Sequence, residues 1–285
     1  MVKYFVMCQG SPFEISLEMA EISTLYIHEE TIPEVLAKLV DDFKRRKIIM
    51  HPVIVDKRTN VVLDGMHRIE AARRAGFKFF PVCKIDYQDP RVKLEQWYRL
   101  VKGFPTNKIE RIISDVFSDF IDIVIQKTDS WIDEIKKADT IGVFLSEHLY
   151  YVVQSNVRGL WDAFRIFSEL EKNLLRMGFN IQFIPDSQAK KFLSDSTILA
   201  PRPLTKRDVI KYARERKLFP RKTTRHVLPV RPLFLNVPAE FCIREDFDYV
   251  NKKFEEFIKQ KVPVECKGHV TLDRFYEEET LLIFL

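Results

Sequence analysis

Hydrophobic and polar positions change period sharply near residue 65. Residues 52–56 and 61–63 are apolar and mostly β-branched, and they flank the polar residues 57–60, which predicts a β-hairpin. The next apolar residues recur at helical spacing and end at a glycine: Ile69, Ala72, Ala75 and Gly76. The chain is therefore predicted to run from a buried strand through Asp64 and Gly65 directly into a basic helix.

The rest of the first hundred residues predicts one α+β unit around this junction. Residues 15–19 predict a strand, and a helix follows with Thr31 as its N-cap and Pro33 in its first turn. Residues 80–87 predict a strand that returns to the sheet, and residues 92–102 predict a short helix that carries Trp97 and Tyr98.

Downstream, the same patterns predict a second α+β layer. Residues 104–140 are predicted to be helical, with an apolar face formed by Ile112, Ile113, Val116, Phe117 and Phe120. The later elements are a hairpin (141–145 and 149–153), helices (160–177, 187–193, 208–217 and 249–258) and strands (179–184, 196–200 and 281–285). We therefore predict an α+β fold with domains at 1–103 and 104–285.

Composition and charge limit the class of protein. With 285 residues, 46% of them hydrophobic and 31% charged, the chain predicts a globular protein of about two domains. Its net charge of +5 permits acidic ligands without requiring nucleic acid. The four cysteines are widely separated, which indicates reduced thiols rather than a zinc site or disulfides. No apolar run has the length of a membrane span or of a signal peptide, so we expect a cytoplasmic protein.

The junction at Asp64 and Gly65 is a candidate anion site. The N-terminus of a helix presents backbone N–H groups and the positive end of the helix dipole, and His67 and Arg68 lie in the first turn. The alternative is an ordinary turn, in which Gly65 supplies the backbone angle and Arg68 is solvated. Asp64 suits either a metal-binding carboxylate or the N-cap of the helix.

A second candidate site lies in the proline-bounded segment 218–231. Prolines favour extended backbone, so Lys222, Thr224 and His226 are predicted on one face of a strand and Thr223 and Arg225 on the other. A cation, a hydroxyl and an imidazole together suit a small zwitterion or a phosphate. The alternative is a basic surface loop.

A carboxylate at a loop tip completes the candidate chemistry. His28 and Glu29 precede the helix that starts near Pro33, a place where catalytic carboxylates are often presented. The alternative for Glu29 is a solvated carboxylate that flanks the helix, and His28 fits a structural role equally well.

These motifs together resemble those of the archaeal free L-serine kinases, which have a ParB/sulfiredoxin-like fold. The resemblance is carried by His28-Glu29, Asp64-Gly65-Met66-His67-Arg68, Trp97-Tyr98 and Lys222-Thr223-Thr224-Arg225-His226-Val227-Leu228-Pro229. It implies an enzyme that phosphorylates free L-serine to O-phospho-L-serine with ATP or ADP and Mg²⁺, in serine and cysteine metabolism. Of the two donors we expect ATP.

The resemblance also implies roles for individual residues. Glu29 is expected to be the catalytic base, with Asp64 also in the catalytic set and a candidate metal ligand. The nucleotide phosphates are expected to bind at Asp64, Gly65, Met66, His67 and Arg68. The serine pocket is expected to contain Trp97, Lys222, Thr223, Thr224, Arg225 and His226. For Trp97, a place in the hydrophobic core is the alternative.

One position departs from the family, and it also narrows the alternatives. Met66 stands where the family commonly has histidine, and where sulfiredoxins have their reactive cysteine, so sulfiredoxin chemistry is excluded. A ParB-like, nucleotide-dependent DNA-binding or regulatory protein would add a helix-turn-helix domain and a strongly basic face. A noncatalytic amino-acid sensor would bind serine without turnover.

The expected partners are serine and an adenine nucleotide, with no nucleic acid and no membrane, and the sequence does not assign an oligomeric state.

Overall fold

The computed structural model describes residues 1–104, 109–116, 123–146, 150–194, 196–244, 246–272 and 275–285, and it divides into two compact units. The first unit comprises Met1–Lys93, Lys206–Leu218 and His226–Leu285. The second comprises Leu94–Thr205 and Phe219–Arg225. This division differs from the predicted boundary after residue 103, because the chain returns twice to the first unit.

Short strands outnumber helices in the described parts of both units. The strands are β1 (Val2–Cys8), β2 (Ser11–Glu21), β3 (Ile48–Ile49), β4 (Val53–Asp56), β5 (Val62–Asp64), β6 (Phe79–Ile85), β7 (Lys93–Lys102), β8 (Ile123–Thr128), β9 (Thr140–Leu145), β10 (Tyr150–Ser155), β11 (Asn180–Pro185), β12 (Thr197–Pro201), β13 (Thr224–Val227), β14 (Val230–Leu233), β15 (Val237–Pro238), β16 (Pro263–Lys267), β17 (Val270–Thr271), β18 (Phe275–Tyr276) and β19 (Thr280–Phe284). The α-helices are α1 (Pro33–Arg46), α2 (Met66–Arg74), α3 (Ile109–Val116), α4 (Leu160–Arg176), α5 (Lys206–Arg214), α6 (Glu240–Ile243) and α7 (Phe247–Lys259). Short 3₁₀ helices lie at Ile22–Thr24, Glu134–Lys136 and Asp186–Phe192. No helix in these described segments is long and apolar enough to cross a membrane.

The main sheet of the first unit has the order β1-β2-β6-β4-β5. β4 runs parallel to β6 and antiparallel to β5, which confirms the predicted hairpin. Buried Asp56 closes the hairpin turn, because its Oδ2 accepts hydrogen bonds from the backbone N (3.1 Å) and Oγ1 (2.5 Å) of Thr59. The turn therefore fixes β5, and with β5 the position of Asp64.

Gly65 forces the abrupt change from β5 to α2. Its φ of 97° lies in the left-handed region, and a Cβ built there would lie 2.5 Å from Cγ1 of Val53. Only glycine combines that backbone angle with so close an approach to β4. Gly76, with φ of 79°, follows the end of α2 as predicted.

The C-terminal segment belongs to the first unit. A second sheet has the order β14-β19-β16, in which β14 and β19 run parallel and Arg231 pairs with Leu281. The carboxamide of Asn251 in α7 accepts from the backbone N of Met19 (3.0 Å) and donates to its carbonyl oxygen (3.2 Å). These contacts join the last fifty residues to the sheet that carries Asp64.

The sheet of the second unit has the order β11-β7-β12-β9-β10-β8, and β13 pairs with β7. The predicted hairpin is confirmed by the antiparallel pair β9 and β10. The predicted helix 160–177 is confirmed by α4, which Gly178 follows with φ of 88°. Its buried aromatic residues, Phe164 and Phe167, form part of the core of this unit.

Three predicted elements are wrong. Residues 93–102 form the strand β7 rather than a helix, because β11, β12 and β13 pair with it. Between residues 104 and 140 the structure has α3 and β8 in place of one long helix, and Phe117, Phe120 and residues 147–149 lie outside the described residues. α1 has Ile32 at its N-cap with no side-chain cap, so Thr31 does not cap it, although Pro33 starts the helix as predicted.

Candidate active site

Asp64 lies at the centre of a network of charged side chains in the first unit, of which Arg231 and Glu278 are buried. Its Oδ2 accepts hydrogen bonds from Nη2 of Arg68 (2.8 Å) and from Nη1 of Arg231 (2.7 Å). The Nε of Arg231 donates to the carboxylate of Glu278. Burial by itself lowers the pKa of Arg231, but the carboxylates of Asp64 and Glu278 raise it well above its usual value. Arg231 is therefore a permanent cation held between two carboxylates.

Arg68 is bound more tightly to the protein than the sequence indicated. Besides Asp64, its guanidinium donates from Nη1 to the carbonyl oxygens of His51 (3.1 Å) and Pro52 (2.7 Å). The alternative of a solvated Arg68 is wrong, because these acceptors hold the guanidinium against β4 and Asp64. Arg68 thus fixes the start of α2 as well as contributing positive charge there.

His67 connects the first turn of α2 to the loop before α1. Its Nε2 accepts a hydrogen bond from the backbone N of Ile32 at 3.0 Å. Nε2 is therefore the unprotonated ring nitrogen in this arrangement. Because Ile32 lies three residues after Glu29, His67 positions the loop that carries Glu29.

Glu29 is buried, with 7% of its surface exposed, so the alternative of a solvated carboxylate is wrong. Its neighbour His28 is fully buried and packs edge to face on the ring of His226, with the ring centroids 5.3 Å apart. Burial lowers the pKa of His28 to about 4. The loop tip therefore brings a carboxylate and a neutral imidazole into the interior.

His226 makes a second specific contact in the first unit. Its Nε2 lies 2.7 Å from the hydroxyl of Tyr87, which is fully buried. Burial and then the neighbouring His28 lower the pKa of His226 well below its usual range. His28 and His226 are therefore both neutral near pH 7 and available for hydrogen bonding rather than for charge.

The second unit brings two of the predicted serine-pocket residues, Lys222 and Arg225, together around the indole ring of a third, Trp97. The Nζ of Lys222 lies 4.5 Å from the centroid of the Trp97 ring, and the guanidinium carbon of Arg225 lies 5.6 Å from it. Arg225 also forms an ion pair with Glu95. Trp97 is partly exposed, so its ring has surface for a ligand as well as for these cations.

The predicted alternation along segment 222–226 is wrong at its first residue. Lys222 has φ of 59° and precedes β13, so only Thr224 and His226 alternate within the strand. The left-handed turn is held by buried Arg99, whose Nη1 donates to the carbonyl oxygen of Lys222 at 3.1 Å. Thr223 is buried and donates to the carbonyl oxygen of Pro220 at 2.7 Å, a role inside the turn.

The predicted site residues fall in both units. Glu29, His226 and the residues from Asp64 to Arg68 belong to the first unit, whereas Trp97 and Lys222–Arg225 belong to the second. Sequence reasoning missed Tyr87, Arg231 and Glu278. Of these, Arg231 carried a signal, since a cation between Val230 and Pro232 interrupts an apolar strand.

Comparisons with known proteins give a consistent result. No family model matches the chain. An ATP-dependent L-serine kinase of Staphylothermus marinus is 26% identical over 235 residues, which cover 78% of this chain and 89% of that protein. An ADP-dependent L-serine kinase of Thermococcus kodakarensis is 21% identical over 226 residues, covering 77% of this chain and 90% of the relative. A ParB-like protein of Sulfolobus acidocaldarius is 28% identical over 211 residues, covering 74% and 90% of the two chains.

Solved structures agree on the fold. A free serine kinase in complex with AMP matches with a TM-score of 0.62 at 19% identity, covering 79% of this chain and 93% of that one. A truncated form of SbnI from Staphylococcus aureus matches with a TM-score of 0.64 at 16% identity, covering 86% and 96% of the two chains. The predicted α+β fold of the ParB/sulfiredoxin type is confirmed, and most of the chain is similar in sequence to archaeal proteins named L-serine kinases.

Proposed function

We propose that this protein is a kinase that transfers a phosphoryl group from an adenine nucleotide to the hydroxyl of free L-serine. The observation that carries the proposal is the buried carboxylate of Glu29, in a loop that His67 ties to the start of α2. The proposed base and the helix terminus that is proposed to bind phosphate therefore lie in the same unit. The names of the relatives, L-serine kinases that depend on ATP or on ADP, supply the substrate class.

Phosphoryl transfer requires the protein to position the two substrates, to neutralise the charge of the phosphates and to supply a base near the attacking hydroxyl. In the proposed reaction the serine oxygen forms a bond to the terminal phosphorus, and the bond from that phosphorus to the bridging oxygen breaks. The leaving nucleotide keeps the electron pair, and Glu29 takes the serine proton. The N–H groups of the first turn of α2 hold the phosphate oxygens, with the helix dipole directed at their charge.

Magnesium fits this site through a single protein carboxylate. Mg²⁺ in phosphoryl-transfer enzymes commonly binds one or two carboxylates together with substrate phosphates and water. The side chain of Asp64 is 28% exposed and stands beside the helix terminus. In the described segments no group of three or more His, Cys, Asp or Glu side chains is arranged to hold a metal ion, at Asp64 or elsewhere. Asp64 would hold the ion, which would neutralise charge on the phosphates.

We assign serine recognition to the cations around Trp97. Lys222 and Arg225 both face this ring, and either cation suits the carboxylate of an amino acid. The resemblance to the serine kinases adds Thr224 and His226, and the low pKa of His226 makes its imidazole a neutral hydrogen-bonding group at pH 7.

ATP is the donor that we propose. Two relatives named ATP-dependent kinases are 26% and 24% identical to the chain, and the ADP-dependent one is 21% identical. The phosphate-binding turn itself has backbone donors that serve a diphosphate or a triphosphate equally well.

A donor screen tests the function. The purified protein is incubated with L-serine, Mg²⁺ and either ATP or ADP, and O-phosphoserine is followed by phosphorus NMR or mass spectrometry. We expect O-phosphoserine with ATP, and none when D-serine replaces L-serine. Absence of O-phosphoserine with both nucleotides would refute the proposal, and nucleotide-dependent retardation of DNA would then favour the ParB-like alternative suggested by one relative.

A further inference from the structure

The charges around Asp64 form an alternating series that reaches the C-terminal segment. Arg68 and Arg231 share one oxygen of Asp64, and Arg231 also contacts Glu278. Arg231 and Glu278 are both buried, with 7% and 8% of their surfaces exposed. Two cations and two carboxylates therefore balance each other, with Arg231 and Glu278 buried and with Asp64 and Arg68 partly exposed.

Glu278 is held in place by the fold rather than by chance contact. The parallel pairing of β14 with β19 brings Glu278, two residues before the start of β19, beside Arg231. The backbone N of Thr280 donates to the carbonyl oxygen of Pro229 at 3.1 Å, which fixes the register on the N-terminal side of β19. A buried carboxylate fixed in this way offsets the positive charge of Arg231 throughout the folded state.

Without Glu278, two guanidinium groups would more than neutralise Asp64. A carboxylate that is outweighed by two guanidinium groups attracts a divalent cation poorly. The resulting net positive charge attracts a phosphate that carries no metal ion well. We propose that Glu278 balances the charge of Arg231, so that Asp64 retains its affinity for a divalent cation at the phosphate site. The proposal rests on the proposed function through the adenine nucleotide and through the placement of Mg²⁺ at Asp64.

The test measures binding of ATP by calorimetry in the absence of serine, once with Mg²⁺ and once with EDTA. For Glu278→Gln, which keeps the shape and an acceptor oxygen, we expect the Kd of Mg·ATP to rise on the order of tenfold. The Kd of ATP in EDTA should stay the same or fall. Exposed Glu277 provides the matched control, and Glu277→Gln should change neither value.

Two further variants separate charge balance from structural damage. Arg231→Gln leaves the cluster with a net negative charge and should tighten the response to Mg²⁺ while weakening ATP in EDTA. The double variant, Arg231→Gln with Glu278→Gln, restores neutrality and should bind Mg·ATP within about twofold of the wild type. If Glu278→Gln does not fold, the other two variants still test the proposal. Arg231→Gln should change the Mg²⁺ response of ATP binding in the opposite direction, and the double variant should restore the wild-type response.

Several outcomes overturn the proposal. Equal weakening of ATP binding with and without Mg²⁺ in Glu278→Gln would assign Glu278 a structural role only. Unchanged binding in that variant, or ATP binding by the wild type that does not respond to Mg²⁺, would also be decisive against it. A wild type that binds Mg·ATP but forms no O-phosphoserine would refute the proposed kinase while leaving charge balance to be judged by the variants.

Discussion

At the scale of single residues, burial distinguishes Glu29 from an ordinary surface carboxylate. It lies in the interior beside His28, in a loop that is tied to α2 through His67. A carboxylate that is shielded from water and fixed in position can accept a proton as bond formation begins. The side chain is therefore suited to act as a base rather than only to flank a helix.

We predict that Glu29→Gln lowers turnover by roughly a hundredfold or more, the usual effect of removing a positioned base. Nucleotide binding should be unchanged, because the amide has the same shape and the proposed phosphate site is at the start of α2. Initial rates of O-phosphoserine formation and the Kd of ATP measure the two effects. Glu30→Gln, one residue away and partly exposed, is the control and should retain wild-type turnover. Wild-type turnover in Glu29→Gln would assign the base to another group.

A second residue-scale prediction concerns Lys222. If its ammonium binds the serine carboxylate, Lys222→Ala should weaken serine use by about 1.5–3 kcal/mol, the range for a hydrogen bond to a charged group. The KM for serine should rise while the Kd of ATP stays constant. Arg221→Ala, which removes an exposed neighbouring cation, is the control. Equal losses for serine and ATP in Lys222→Ala would show that this segment binds phosphate.

At the scale of elements, the turn from β5 to α2 depends on Gly65. Gly65→Ala would combine a left-handed backbone angle with a Cβ 2.5 Å from Val53. We predict a loss of about 1–3 kcal/mol in the free energy of unfolding, together with weaker binding of ATP, because the start of α2 must shift. Urea denaturation and calorimetry measure the two effects.

Gly76 provides the matched control at the other end of α2. Its φ of 79° carries a similar backbone penalty, but a Cβ there meets nothing within 4 Å. Gly76→Ala should therefore cost less stability and leave ATP binding unchanged. A larger loss of ATP affinity in Gly76→Ala than in Gly65→Ala would contradict the assignment of the anion site to the start of α2.

The elements also show which parts of the fold could be predicted from the sequence. The β4–β5 hairpin and α2 were predicted correctly, since a polar turn, helical spacing and Gly76 are local signals. The strand β7 was predicted as a helix because its conformation is imposed by pairing with β11 and β12, which are more than 75 residues away in the sequence. The left-handed turn at Lys222 is likewise imposed from outside, by buried Arg99.

At the scale of the whole molecule, the first unit is assembled from three separate stretches of chain. Arg231 contacts Asp64 across 167 residues of sequence, and Glu278 joins them from the C-terminal segment. No periodicity in the sequence reports a contact of that kind, so the motif around Gly65 could be predicted but its charge partners could not. The candidate residues with local signals were predicted from the sequence, and the charged partners that tertiary structure brings to them were missed.

The stability of the first unit should depend on pH through its buried histidines. His28 has a pKa of about 4 in the folded protein, below the ordinary value of 6.5, because burial disfavours its charged form. The unfolded chain therefore binds more protons between pH 6.5 and pH 4. Stability is full above pH 6.5 and is lost as the pH falls towards 4. His226, whose pKa is also lowered by burial, adds to the loss.

We predict that lowering the pH from 7.5 to 5 removes about 2 kcal/mol of unfolding free energy through His28 alone. His28→Gln should reduce the dependence on pH without abolishing it, since His226 remains. Urea denaturation followed by far-UV circular dichroism measures it, because all three tryptophans lie in the second unit and their fluorescence would not report on the first. His269→Asn, at an exposed position, should leave the pH dependence as it is in the wild type. An identical pH dependence in His28→Gln and the wild type would mean that His28 is not the group whose burial makes the protein sensitive to acid.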